Sequence, residues 1–535
     1  MKHVPMYQST NLPNSEYLET EVLVLGSGVA GCVAALELAD RGVQVVLATR
    51  ADEPQDSNTL WAQGGIIYRG EHDTPAALVA DILRAGAGMS YPKAAQILAE
   101  EGPALLKKIL LERAPVAFDR ETGGDLSLAL EGGHSMPRIV HVADYTGRAI
   151  EVALIKAVQA HPGITLLTGH TAVDLLTPSH HSLNRLSVYE HRSCVGAYLF
   201  DQAGGQVRRC LARDTVLATG GLGQIFLRTT NPAGARGDGM AMAQRAQARV
   251  INMEFVQFHP TTFYHLNAPN LLISEAVRGA GARLVNADGE PFMQRYQPEW
   301  KDLAPRDVVA RSIHQEMLAR DVTHVYLDLR SYVAQDEIMH HFPTIRESLL
   351  PYGVDIATDM VPVVPAAHYA CGGVWVDEWG RTTLRHLFAV GEVSCTGLHG
   401  ANRLASTSLL EGLVWGSRTA RYIADSLPPA LTVDPADIPP WRSGGTEDPD
   451  PALITQDMTT IKSIMWNYVG LARTTQRLER ALSELYHLET EIERFYRSSR
   501  LTDGLIGLRN AARTGILTAQ AAWQNRGSVG SHYRT

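Results

Sequence analysis

Six residues near the start of the chain combine types and spacing suited to holding a phosphate. Gly26-Ser27-Gly28-Val29-Ala30-Gly31 follows the apolar run Val22-Leu23-Val24-Leu25 and precedes the helix-period stretch from Cys32 to Ala39, which stops at Gly42. The apolar run reads as a buried parallel strand, and Val43 to Ala48 supplies a second. Glycines so placed permit a tight turn and close approach of a pyrophosphate to a helix N-terminus. A dinucleotide is the expected ligand. The acidic residue that usually meets the ribose hydroxyls after the second strand is absent, and Thr49-Arg50 stands there. A threonine hydroxyl suits a ribose and an arginine suits a phosphate, which disfavours NAD more than a flavin dinucleotide.

Two later segments bear on the same ligand. Thr215-Val216-Leu217-Ala218-Thr219-Gly220-Gly221 and Leu387-Phe388-Ala389-Val390-Gly391-Glu392 both run from a strand into a glycine turn. They resemble the A-T-G-G and A-x-G-E segments of FAD proteins with a Rossmann-type core. The resemblance puts Gly220 against the cofactor and Glu392 on its ribose.

The elements that must position these turns divide the chain. Residues from about 253 to 369 carry Phe258-His259-Pro260-Thr261 and Ala304-Pro305-Arg306-Asp307 but no dinucleotide turn. The expected class is α/β: a Rossmann-type FAD-binding domain over residues 1–252 and 370–435, interrupted by an inserted α+β capping domain over 253–369. A C-terminal helical domain over 436–535 follows, entered through a proline-rich linker from Pro428 to Pro440 and on through Gly444, Gly445, Pro449 and Pro451. Leu478, Leu482, Leu485 and Leu488 give that last domain its helical period.

Composition narrows the function. A hydrophobic fraction of 45% with 20% charged residues is ordinary for a globular protein and excludes disordered and coiled-coil classes. A formal net charge of −9 disfavours nucleic acid and anionic membrane as partners, though it leaves small anions open. Cys32, Cys194, Cys210, Cys371 and Cys395 form no C-x-x-C pair, which points to a reduced compartment and away from chain-borne iron–sulfur or zinc sites. Cys371 and Cys395 read as packing residues. The polar first twenty residues, with Pro5, Pro13, Glu16 and Glu19, do not read as a secretory signal, and no apolar run reaches the ~18 residues of a spanning helix. A soluble, cytoplasmic protein is expected.

Asn58-Thr59-Leu60-Trp61-Ala62-Gln63-Gly64-Gly65-Ile66 and His399-Gly400-Ala401-Asn402-Arg403-Leu404 resemble the flavin-contacting segments of the succinate dehydrogenase/fumarate reductase flavoprotein superfamily. The resemblance extends from about residue 20 to the end. It implies FAD contacts at residues 26–31, at Thr49 and Arg50, along Asn58 to Gly65, at Gly220, Glu392, Ser408 and Leu409, and at Asp238 in Gly-Asp-Gly. Dehydrogenases of the superfamily bind FAD covalently through a histidine four residues before the alanine of A-Q-G-G. Asn58 occupies that position and residues 52–65 contain no histidine, so FAD is expected to be non-covalent.

Leu130-Glu131-Gly132-Gly133-His134-Ser135 resembles the branch that oxidises L-aspartate, in which the glutamate faces the substrate's amino group. The final segment, Arg526-Gly527-Ser528 and Ser531-His532-Tyr533-Arg534, resembles the same branch. The resemblance implies that His368 and Arg403 clamp one carboxylate, that His259, Ser274 and Glu275 surround the other, and that Arg306 exchanges a proton with the substrate carbon during fumarate reduction. An arginine acid, whose free pKa lies far above neutrality, can act only as a relay; Arg278–Glu275–Arg306 matches the implied path. The competing role for Arg306 is an ion pair with Asp307 or a helix cap. Three positions depart from the family pattern: Ser274 for threonine, Ala280 for glutamate, and Leu130 for a basic residue.

The implied reaction is oxidation of L-aspartate to iminoaspartate with dioxygen or fumarate as acceptor, feeding quinolinate and NAD synthesis, with transient contact to quinolinate synthase. The alternatives are a soluble fumarate reductase, a succinate dehydrogenase flavoprotein subunit, and an idle FAD-binding scaffold.

Overall fold

The computed structural model describes residues 17–442 and 444–535; the reading of the polar start up to Glu16 lies outside them. The apolar run after Glu21 forms the end of the strand Tyr17–Leu25, from Val22 onward fully enclosed, at the centre of a seven-stranded sheet. Val45–Ala48 and then Ile164–Leu167 lie to one side, both parallel. On the other side lies Gln206–Leu217, long enough to serve three neighbours. Its later residues pair in parallel with Tyr17–Leu25 and with Leu387–Ala389, and its first half pairs antiparallel with Gly196–Asp201. His170–Leu175 closes that edge.

Leu25, Ala48, Leu217 and Ala389 end in register across the sheet. The residues that follow them, Gly26, Thr49, Ala218 and Val390, therefore gather along one edge. This is the carboxyl-end crevice where parallel sheets bind ligands.

The helix Val29–Ala39 is buried on every side. One flank packs on Thr407–Ser426, where Gly412 and Gly416 face Val29, Ala30 and Val33; a Cβ on Gly416 would press on the Ala30 carbonyl oxygen. That close approach brings the first turn of the second helix, Ser408-Leu409, beside the glycine turn.

A second sheet of four antiparallel strands runs Val256–Phe263, Val361–Ala370, Val325–Asp328, Arg283–Val285. It carries its own core, including Phe263, Val277, Phe292, Ile313, Leu327 and Val363. Helices Pro451–Val469, Thr475–Ser498 and Asp503–Gln524 pack together, with Leu478 and Leu485 fully enclosed and Leu482 and Leu488 partly so. In the proline-rich stretch before them, Ile438 is buried and Trp441 packs edge-on against Tyr198. Among the described residues, no helix is long and apolar enough to cross a membrane.

Candidate active site

One continuous cavity follows the carboxyl edge of the parallel sheet and ends beneath the antiparallel one. At its sheet end, a Cβ on Gly26 would overlap the carbonyl oxygen of Ala218, so the turn needs glycine, at φ +110°. Ser27 Oγ bonds Thr49 Oγ1 at 3.0 Å and donates to Pro54 O at 2.6 Å. Thr59 Oγ1 accepts from the Val29 N–H at 3.0 Å, tying the segment Asn58–Gly65 to the helix N-terminus.

Nearly all the sequence-predicted cofactor residues line this cavity: Gly26 to Ala30, Thr49, Arg50, Asn58, Thr59, Trp61 to Gly65, Gly220, Asp238, Glu392, Ser408 and Leu409. Gly31 and Leu60 do not. Gly31 faces inward, where a Cβ would overlap the Gly26 carbonyl oxygen, so its place is in the packing of the turn. Leu60 lies in the same loop but outside the lining, while its neighbours Thr59 and Trp61 belong to it. Arg50 lies 3.5 Å from Asp503 of the last helix, and Asp238 takes Arg236 and Asn510 as partners.

Glu392 is engaged on both oxygens, by Asn58 Nδ2 at 2.8 Å and by the Ala370 N–H at 2.9 Å. Each oxygen retains a second lone pair for a ligand. Burial lifts its carboxyl to about 7.

The far end of the cavity gathers charge. His259 and His368 come from adjacent strands, with ring centroids 5.0 Å apart. Gln257 pairs with Tyr369 but Phe258 pairs with Ala367, leaving His368 as the extra residue of a β-bulge. A second irregularity follows His259. Bulges re-aim side chains, and here they turn two imidazoles into one pocket. Thr230 Oγ1 bonds His368 Nδ1 at 2.7 Å and fixes that ring.

Arg306 opens the helix Arg306–Arg320, an unfavourable end for a cation. Its guanidinium does not serve as a cap, and Asp307 pairs with Arg311 instead, at 2.9 Å. Arg306 Nε donates to Glu275 Oε2 at 2.6 Å and a terminal nitrogen donates to Gln257 Oε1 at 3.1 Å. Gln257 Nε2 donates in turn to the Arg403 carbonyl at 2.8 Å, so one buried amide spaces the two arginines. Ser274 caps the short helix Glu275–Gly279, its Oγ accepting from the Ala276 N–H, which uses the hydroxyl retained in place of threonine.

Arg278 does not line the cavity. It is enclosed behind Glu275, 3.9 Å away, and donates to the Asp302 carbonyl. Ala280 ends the short helix as its C-cap and does not line the cavity, and Leu130 is exposed.

Burial, reinforced by Arg306, holds both His259 and His368 well below the usual imidazole range, so both are neutral near pH 7. Burial lowers Arg403 to about 10, with repulsion from Arg306 adding to it. Burial pushes Glu275 up, but Arg306 and Arg278 outweigh it and hold the carboxyl low. Glu131 is raised by burial and then by Glu275; it accepts from Ser406 Oγ at 2.6 Å, beside Gly64 and Gly65. The pocket is thus a cationic, buried wall with one uneasy carboxyl beside the flavin loop.

Ser406, Gln257, Thr230 and Tyr369 belong to this site and were not anticipated from the sequence. Ser406 adopts φ +54° at the start of its helix, an unusual conformation for serine that aims its hydroxyl at Glu131. Its position directly before Thr407-Ser408 was the available signal. Thr171, which lines the nucleotide end, had none.

The family model for the FAD binding domain matches residues 21–409. L-aspartate oxidase 1 of Ralstonia nicotianae is 44% identical over 96% of this chain and 94% of its own length. The L-aspartate oxidase of Yersinia pestis is 41% identical over 97% and 96%. The chain belongs to the L-aspartate oxidase family.

Solved structures of other proteins share the fold. An E. coli quinol fumarate reductase FrdA superposes with a TM-score of 0.87 at 26% identity, covering 97% of this chain and 91% of that one. Mycobacterium smegmatis Sdh1 gives 0.77 at 29%, covering 96% and 88%. The residues of this L-aspartate oxidase family member fit its cofactor, FAD. Asn58 Oδ1, Gln63 Oε1 and Thr219 Oγ1 are buried along the nucleotide and flavin segments without a protein hydrogen-bond partner. Such groups are costly unless a ligand satisfies them.

With Asn58 bonded to Glu392 and no histidine in the loop, FAD is held without a covalent link. Acid precipitation is expected to release all the yellow colour to the supernatant. Absorbance retained in the washed pellet would contradict this.

Proposed function

We propose that this chain oxidises L-aspartate to iminoaspartate, using dioxygen or fumarate as the final acceptor. The observation that carries the reading is the pairing of Glu131 with a wall of two arginines and two neutral histidines in one cavity. Two carboxylates call for the wall, and an amino group calls for the carboxyl. Succinate would leave Glu131 buried without its partner.

When bound, FAD supplies the acceptor for the hydride that leaves the substrate α-carbon. Arg403 and His368 hold one substrate carboxylate, and His259 and Ser274 hold the other. Bidentate guanidinium bonding fixes the α-carbon in place, which is where most of the orientational advantage arises. Glu131, its carboxyl raised by burial and by Glu275, orients the ammonium and accepts one of its protons; the lone pair of the neutral amine then forms the C=N bond as the α-carbon gives up hydride, and the resulting iminium loses its second proton to solvent. Arg306 neutralises the substrate and, in the fumarate direction, delivers a proton to carbon, restored through Glu275 from Arg278. The product is a small imine suited to quinolinate formation; transient delivery to quinolinate synthase, in a cytoplasmic setting, is part of this proposal.

Anaerobic titration with L-aspartate tests the reading. Flavin absorbance near its visible maximum is expected to bleach fully with L-aspartate and to shift without bleaching with succinate. Bleaching by succinate alone would instead assign the chain to fumarate reductase or succinate dehydrogenase chemistry.

A further inference from the structure

Arg403 is an awkward residue to hold still. It is 5% exposed, its Nε is buried without a hydrogen-bond partner, and its direct side-chain bond is from one terminal nitrogen to Ser408 Oγ at 2.9 Å. What it lies over is an aromatic ring: its guanidinium carbon is 4.4 Å from the centroid of Tyr369. That ring is itself anchored. Tyr369 OH donates to Glu411 Oε2 at 3.0 Å, His399 Nε2 bonds the same oxygen at 2.8 Å, and Thr396 Oγ1 donates to Oε1 at 2.6 Å. The His399 ring meets the Tyr369 ring edge-on, with centroids 5.1 Å apart.

Glu411, His399, Thr396 and Tyr369 are all buried. Burial pushes the Glu411 carboxyl up, but His399 and the two hydroxyls outweigh it, so Glu411 remains charged.

We propose that Tyr369 is a positioning residue for Arg403, its ring face carrying the guanidinium and its hydroxyl locked by the Glu411–His399–Thr396 node. The inference rests on the dicarboxylate reading of the site. Three separately folded pieces meet here. Tyr369 follows the bulged His368, Arg403 stands in the His399–Leu404 loop, and Glu411 sits one turn beyond the flavin-lining Ser408 and Leu409. The node therefore sets the carboxylate clamp relative to the helix that lines the flavin. A cation held on a ring face keeps its N–H groups, which lie in the guanidinium plane, available for an anion. A carboxylate partner in the ring's place would occupy them.

The test measures the succinate dissociation constant of the FAD-loaded protein by flavin difference absorbance. Tyr369→Leu, with FAD content verified, is expected to weaken succinate about tenfold, and Tyr369→Phe by less than about threefold, as cation–π strengths imply. In turnover with L-aspartate, Tyr369→Leu should raise KM by a similar factor and leave kcat within a few fold. Because leucine could disturb folding, a second series places phenylalanine and progressively fluorinated phenylalanines at position 369. These keep the shape while withdrawing charge from the ring face, so succinate binding should weaken stepwise along the series. A flat response across the fluorinated series would overturn the proposal. So would Tyr369→Phe losing as much affinity as Tyr369→Leu, because the hydroxyl network rather than the ring would then be responsible. Failure of the unsubstituted chain to bind any dicarboxylate would instead overturn the reading on which the inference rests.

Discussion

Replacing Arg306 with leucine is expected to lower fumarate-driven recovery of flavin absorbance by about three orders of magnitude, the scale of a lost acid combined with lost charge stabilisation. Recovery driven by dioxygen should stay within several fold of the unsubstituted rate, because dioxygen needs neither a dicarboxylate clamp nor a proton on carbon. Stopped-flow mixing of the aspartate-bleached protein with each acceptor separates the two.

The geometry explains why the effect should be selective. Glu275 and Gln257 take the Nε and one terminal nitrogen of Arg306. Among the described residues its other terminal nitrogen makes no hydrogen bond, which leaves that nitrogen for the substrate. Arg306→Lys should be nearly as impaired, since an ammonium is a single point donor and cannot hold Glu275, Gln257 and a substrate in one plane. Undiminished recovery with fumarate in Arg306→Leu would remove Arg306 from the proposed proton path.

The second large effect is expected from Arg403→Leu. Succinate affinity should fall at least about a hundredfold, because each charge-assisted bond to a carboxylate is worth roughly 1.5–3 kcal/mol and about 1.4 kcal/mol corresponds to a factor of ten. FAD content should not change, since among the described residues the side-chain hydrogen bond from Arg403 to the cofactor-lining segments is the one to Ser408.

The thermal midpoint should hold or rise. Burial first, and then repulsion from Arg306, draw the pKa of Arg403 down to about 10, so leucine removes a desolvated charge and a repulsion from the free protein. Lost binding with undiminished stability is the pattern of a residue kept for function at the expense of the fold. Calorimetry of the two proteins with and without succinate reads both quantities. A protein whose cellular role survived this substitution would be the idle FAD scaffold instead.

Legibility differed by the distance in sequence over which each feature is built. The glycine turn at residues 26–31 was readable because a strand, a turn and a helix N-terminus must be contiguous to hold a pyrophosphate. The absence of histidine between residues 52 and 65 was readable for the same reason, and so was the cationic content of the site. Through the resemblance, the chemical class and the residues His259, Arg306, His368 and Arg403 could be named individually before any of them had a neighbour.

Gly31 and Leu60 mark the limit of that reading. A motif identifies a segment, but which of its side chains faces the ligand depends on what packs behind it, and Gly31 turned inward onto Gly26. Arg278 was named with the site but sits behind it.

What only the tertiary structure decided are the contacts between residues far apart in the chain. Ser406 meets Glu131 across 275 positions, Asn58 meets Glu392 across 334, and Gln257 reaches Arg403 across 146. Nothing in the local pattern around any of these residues encodes its partner. A hydrogen bond of this kind is specified by the packing of whole elements, here two helices brought close by Gly412 and Gly416 and two strands bulged at His368. The sequence, read with its resemblance to the family, determined the cofactor and the class of substrate and named the residues proposed to hold it. Burial and long-range packing determined their charge states, left His259 and His368 neutral, and placed Tyr369 beneath Arg403.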